Sequence, residues 1–277
     1  MWFGKYQHFC DIHPFFYAIS VQKEQLKRHV KNLFSKEKTA RTIQQQKLPN
    51  VVFAYSSNLI KRGKGIDPIL QYNKADNIML ACSKINGMVI HPGEVFSFWR
   101  TIGRTSAGNG FKEGRVIVNG RLTSGTGGGL CNLANTLNLL VLNSPLEIIE
   151  FHKHSDALSP DAGKRVPLSA GTSVSYNYID YQFRNSSDQD VQLFLWVEDE
   201  KLFGELRSET AFPYRYELIE EDHHFRKESD RFYRVSKIYR HTIDKATGEI
   251  LDKELIWDNH SLVMFEYDLI PKDQIRE

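Results

Sequence analysis

Three consecutive glycines, Gly127, Gly128 and Gly129, run directly into Leu130 and Cys131, and an apolar-periodic segment follows at once. Leu130, Leu133, Ala134, Leu137, Leu140 and Val141 recur at helical spacing. Asn143, Ser144 and Pro145 then stop the helix. A glycine run at such a junction implies either positive φ or a close approach that leaves no room for a Cβ. Cys131 therefore belongs to the first turn of a helix. Unpaired backbone N–H groups and the helix dipole favour an anion there, so the expectation is a thiol shifted toward thiolate. LEIIEF reads as a short strand that delivers His152, His154 and Ser155.

The rest of the chain reads as α+β: a helical N-terminal part, then the glycine loop and Cys-bearing helix packed on a largely antiparallel sheet. Residues 20–47 are polar, basic and helix-favouring, and read as a solvated helical hairpin or extension. VVFAYSS is a strand, and KRGKG a basic loop. Apolar spacing from Pro68 to Asn86 predicts a helix. MVIHPGEVFSFW reads as strand, Pro-Gly turn, strand. Asn119-Gly120 marks a hairpin in RVIVNGRLTSG. TSVSYNYIDYQFRN, DVQLFLWVE and LFGELRSE alternate as strands, and 213–240 and 261–270 are strand-rich. The expected organisation is a basic helical region over 1–70, a core over 71–205 and a strand-rich extension of the same fold over 206–277.

Composition limits the function classes. A net charge of +2 gives no global case for nucleic acid or a membrane surface. No run of apolar residues is long enough to span a bilayer. Cys10, Cys82 and Cys131 lie far apart without a CxxC, which argues against a disulfide framework or a cysteine-rich zinc site. The first residues, MWFGKYQHFCDIHPFFY, lack the n-region, h-region and cleavage site of a signal peptide. The expectation is a cytoplasmic protein in a reducing compartment.

Four blocks follow one another between about Asn73 and Asn185: HPGEVFSFWRTIGRTSAGNGFKEG, GTGGGLCNLANTL, SPLEIIEFHKHSDALSPD and GTSVSYNYIDYQFRN. Together they closely resemble the VanW family, named for a protein of unassigned role encoded with some vancomycin-resistance clusters. The resemblance implies an association with glycopeptide resistance and cell-wall precursors. It also marks His154-Ser155 as the carried-over motif, with His152 in a more variable slot. This chain departs from the family at two places. Many VanW-like proteins carry Asp-Ala-Thr-Val where Gly171-Thr172-Ser173-Val174 stands here, and Gln where Asn132 stands.

Two functions fit these residues. In the first, Cys131 is the nucleophile and His154 the base of an acyl-transfer or amide-hydrolysing site. Asp161 or Asp180 would orient the imidazole. Gly127, Gly128, Gly129, Asn132, Asn135 and Ser155 would line a site for a small peptide-like substrate, the loop N–H groups serving an oxyanion. In the second, the same loop, asparagine face and His strand form the pocket of a non-catalytic binding or accessory domain, and Cys131 is structural. Cys131, His154 and Asp161 do not have a recognised ligand spacing, so no metal site and no cofactor are expected.

Overall fold

The computed structural model describes residues 14–63, 66–118, 121–154, 156, 157, 160, 166–168 and 171–276. One helix organises it. Helix α4 (Leu130–Leu142) lies between two sheets and is buried on both sides. Its predicted stripe of Leu130, Leu133, Ala134, Leu137, Leu140 and Val141 is nowhere more than 3% exposed. The opposite face buries Leu139 and Leu142 in a second cluster with Leu168 and Ile238. A helix apolar all round belongs in an interior, which explains why its second half lacks a polar face.

Below the stripe lies a five-stranded sheet in the order β1-β3-β10-β11-β2. It comprises β1 (Thr42–Ile43), β2 (Asn50–Asn58), β3 (Met88–Ile90), β10 (Val191–Glu198) and β11 (Lys201–Ser208), and all its pairings are antiparallel. β1 and β2 come from the first 70 residues, so those residues supply part of the core sheet. Helix α2 (Pro68–Ile85) flanks α4. It starts where Asp67 accepts the Ile69 N–H at 2.8 Å, with Pro68 at the first helical position.

Above α4 stands the long ribbon β12 (Tyr214–Glu228), β13 (Arg231–Asp244) and β14 (Ile250–Val263). Its edges carry β15 (Ile275–Arg276) and β8 (Asp156–Ala157) in parallel pairing. A small sheet, β4-β9-β7, joins Val95–Ser97, Gln182–Arg184 and Glu147–Glu150. The hairpin β5 (Glu113–Val118) and β6 (Arg121–Thr126) pairs in register about residues 119–120, which lie outside the described residues.

Three readings are corrected. Of the hairpin and the extension read for the basic N-terminal stretch, the hairpin is not formed: Pro14–Phe34 is one helix, α1. MVIHPGEVFSFW is not a hairpin, because β3 and β4 belong to different sheets. Ser97 then caps a five-residue helix, α3 (Phe98–Ile102), by accepting the Arg100 N–H at 3.3 Å. In the 172–185 stretch only Gln182–Arg184 is a named strand. Residues 172–179 hold isolated bridges around a turn.

Candidate functional site

The glycine run is required at every position. Gly127 has φ +80° and Gly129 φ +100°, in the region that side chains rarely adopt. A Cβ on Gly127 would stand 2.6 Å from Thr105 Cβ. One on Gly128 would meet the Gly114 carbonyl carbon at 2.2 Å, backbone against backbone. One on Gly129 would fall 2.1 Å from Lys74 Cγ. The loop is thus clamped between β5, the Thr105 loop and α2. Asn77 on α2 completes the clamp, donating to Lys112 O and Gly128 O at 3.0 Å each. Gly129 is the N-cap of α4, and no side chain caps the helix.

Cys131 lies in the first turn as expected, but its thiol is not shifted toward thiolate. Part of the residue reaches the surface, while the sulfur itself is enclosed, and burial pushes its pKa up. Sγ donates to Val174 O at 3.8 Å. The dipole argument fails because desolvation of a thiolate outweighs the field of one helix end. Cys82, inside α2, is likewise pushed up, to about 12, by burial.

The segment carrying Val174 lies between α4 and the His strand. On one side Thr172 N–H donates to Asn135 Oδ1 at 2.7 Å. On the other, His154 N–H donates to Gly171 O at 2.7 Å and Ser173 N–H to His152 O at 2.8 Å. The chain of 171–174 therefore links the cysteine helix to the histidines. No hydrogen bond joins Cys131 to His154 among the described residues. Burial lowers the His154 pKa, opposed by Asp156, so the imidazole is neutral at pH 7. Ser155 and Asp161 lie outside the described residues.

The asparagines are tied into the fold. Asn132 Oδ1 accepts from Ser57 Oγ at 3.1 Å, and Asn138 Oδ1 from Tyr181 OH at 3.2 Å. Asp180 is likewise engaged, 1% exposed and accepting four hydrogen bonds. Ser97 Oγ and Gln182 Nε2 reach Oδ2 at 2.6 and 2.7 Å. The N–H groups of Trp99 and Tyr181 reach Oδ1 at 3.0 and 2.9 Å. Burial still raises its pKa, with the Glu150 charge acting in the same direction. Its donors come from the end of β4, α3, β9 and its own chain neighbour, so it pins the β4–α3 junction to β9, and no histidine is among them.

Two features escaped the sequence. Glu150 sits below its ordinary pKa. Burial alone would raise it, but Arg28 and His152 prevail. Arg28 of α1 forms a two-pronged pair with Glu150, one arm at 2.6 Å, and reaches Tyr178 O at 3.3 Å. His152 Nε2 lies 2.9 Å from Glu150 Oε1. The second feature is Lys74. It is 9% exposed and its ammonium meets Gln71 Oε1 at 3.3 Å. Burial, together with the charges of Lys61 and Arg115, lowers its pKa to about 8. A cleft of about 360 Å³ lies elsewhere, at the far end of α4, among Leu142, Leu146, Phe151, Arg240 and Ile256.

The family described as VanW like protein matches residues 73–207. Over 226 residues the chain is 31% identical to the vancomycin B-type resistance protein VanW of Enterococcus faecalis, covering 82% of each. The chain belongs to the VanW family. YoaR of Bacillus subtilis, an uncharacterized protein, is 30% identical over 119 residues, 43% of this chain and 38% of its own. No solved structure matches. The VanW block holds Lys74, the glycine run, Cys131 and Asp180, whereas Arg28 and Lys61 precede it and the ribbon β12–β14 follows it. No helix among the described residues is long and apolar enough to cross a membrane.

Proposed function

We propose that this VanW-family chain is a non-catalytic binding or accessory domain that takes a small peptide-like ligand in a process tied to glycopeptide resistance. The observation that carries the reading is the state of the thiol. An acylating cysteine needs a thiolate and a base that generates it. The Cys131 thiol is instead held protonated by burial and donates to Val174 O. The neighbouring Asn132 and Asn135 use their side-chain oxygens within the fold, and no hydrogen bond from their amide NH₂ groups is made among the described residues, so these can donate to a peptide carbonyl. The link to glycopeptides rests on the relative whose name carries it. Both described cysteines are free, which suits a cytoplasmic location.

Complementation tests this directly. In a glycopeptide-resistant strain sensitised by loss of its own copy, Cys131→Ala should restore resistance as fully as the wild-type chain. A variant that is folded and abundant yet restores nothing would show that the thiol acts chemically, and the acyl-transfer reading would replace this one.

A further inference from the structure

We infer that Lys74, Lys61 and Arg115, gathered beside the glycine loop at the start of α4, form a binding site for an oxyanion, a carboxylate or a phosphate group of the ligand. The inference rests on the binding reading above and names the chemistry that the site recognises.

Lys74 carries the argument. A lysine that is nine-tenths buried ordinarily has a carboxylate beside it, because an unpaired ammonium is costly to enclose. The partner here is the neutral amide oxygen of Gln71, which also accepts the Lys61 N–H at 3.2 Å. The charges felt by Lys74 are two further cations, Lys61 and Arg115. The acids of the elements packed around it are committed elsewhere. Asp67 caps α2. Asp76 pairs with Lys112 at 2.6 Å. Glu113 accepts from Ser124, and Glu200 pairs with Arg62 at 2.7 Å. Cys131, the one titratable group on α4, is held neutral by burial. Three positive charges therefore share a region in which, among the described residues, no carboxylate pairs with Lys74, Lys61 or Arg115.

The neighbouring backbone adds to this. The Lys74 side chain crosses the α4 N-cap so closely that only glycine fits at 129. The first-turn N–H groups of α4 have no side-chain cap. Asn132 N–H turns back to Gly129 O at 3.0 Å, and the N–H groups of Leu130 and Cys131 precede it at the positive end of the dipole; with an ammonium in the same place these constitute an anion site. An oxyanion bound there would pair with the Lys74 ammonium and offset the cost of enclosing it.

The test is thermal stability and calorimetry of the full chain, at pH 7 and constant ionic strength. The probes are inorganic phosphate, N-acetyl-alanyl-alanine and the same dipeptide amidated at its C-terminus, with chloride as the reference anion. Phosphate, or the free dipeptide and not its amide, should raise the melting temperature; which of them does so separates a phosphate from a peptide carboxylate. Binding should weaken above about pH 8 as Lys74 loses its proton. Lys74→Met should abolish the effect, and Arg115→Gln, at a half-buried strand position, should weaken it roughly tenfold, as expected for one charge-assisted hydrogen bond. No anion-specific shift in the wild type, or a shift unchanged in both variants, overturns the inference. If oxyanions do not bind while Cys131→Ala still complements, this inference fails alone. If they bind while Cys131→Ala does not complement, the anion site stands and the non-catalytic reading falls.

Discussion

Replacing Lys74 by methionine should make the ligand-free protein more stable, an unusual outcome for a buried residue. The folded environment moves the lysine pKa from 10.5 to about 8. Each pH unit of displacement corresponds to about 1.4 kcal/mol, so the folded state carries a penalty of roughly 3 kcal/mol at neutral pH. Water reaching the ammonium tip reduces it, and a gain of about 1–3 kcal/mol is expected for Lys74→Met. Methionine keeps the length of the stem against Gly129 and brings no charge. The pH dependence has a definite sign. Between about 8 and 10.5 the unfolded lysine is protonated and the folded one is not. The unfolded state then binds more protons, and stability rises with pH. The penalty is therefore complete below about pH 8 and disappears as pH climbs toward 10.5. Urea denaturation of wild type and variant at pH 7, 9 and 10.5, in chloride buffer free of phosphate and carboxylates, measures this as a gap that narrows with pH. A variant less stable than wild type at pH 7, or a gap independent of pH, would refute the account of Lys74 as an uncompensated buried cation.

Other perturbations separate the roles of the remaining residues. Gly128→Ala drives a Cβ into the Gly114 backbone and should cost more than about 3 kcal/mol in chemical denaturation, by displacing β5 from the loop. Leu137→Ala, at a position fully buried in the core under α4, should cost about 2–5 kcal/mol by the same measurement. Arg28→Met removes the two-pronged partner of the Glu150 carboxylate, leaving only His152 and the Asp180 N–H beside it, and should destabilise by about 1–3 kcal/mol. Because the folded Glu150 pKa is depressed, the pair's contribution is present at neutral pH and lost as pH falls through the carboxylate range, so the two curves should converge in acid. Cys131→Ser should shift stability by only about 1 kcal/mol, since a serine hydroxyl can serve the Val174 carbonyl as the thiol does.

What could be read from the sequence was local. The α4 stripe was legible because apolar residues at helical spacing admit one face. The glycine run was legible because three adjacent glycines before a helix have few other uses. The β5–β6 strands followed from Asn119-Gly120. The failures share a different cause. HPGEVFSFW alternates well enough for a hairpin, but Ser97 is claimed by Asp180, which lies 83 residues later and draws the chain into α3. YNYIDY alternates too, yet Asp180 and its four donors hold that stretch as an irregular connection. Arg28 sat in a charge run that reads as surface, and its partner Glu150 is 122 residues away. Nothing in the α2 pattern singles out Lys74. Its significance depends on Gly129 folding back over it, which no local pattern encodes. The thiolate expectation for Cys131 was a rule for an exposed helix end, applied to an end that the fold encloses.

The central claim, that Cys131 is a protonated, engaged thiol in a binding domain, is tested most directly by its alkylation rate in the folded protein as a function of pH. Iodoacetamide labelling followed by peptide mass spectrometry should find Cys131 nearly inert at about pH 6, reacting appreciably only at about pH 9 and above or after unfolding, with Cys82 slower still. Rapid, selective alkylation of Cys131 at about pH 6 would contradict the claim, because only a stabilised thiolate reacts there.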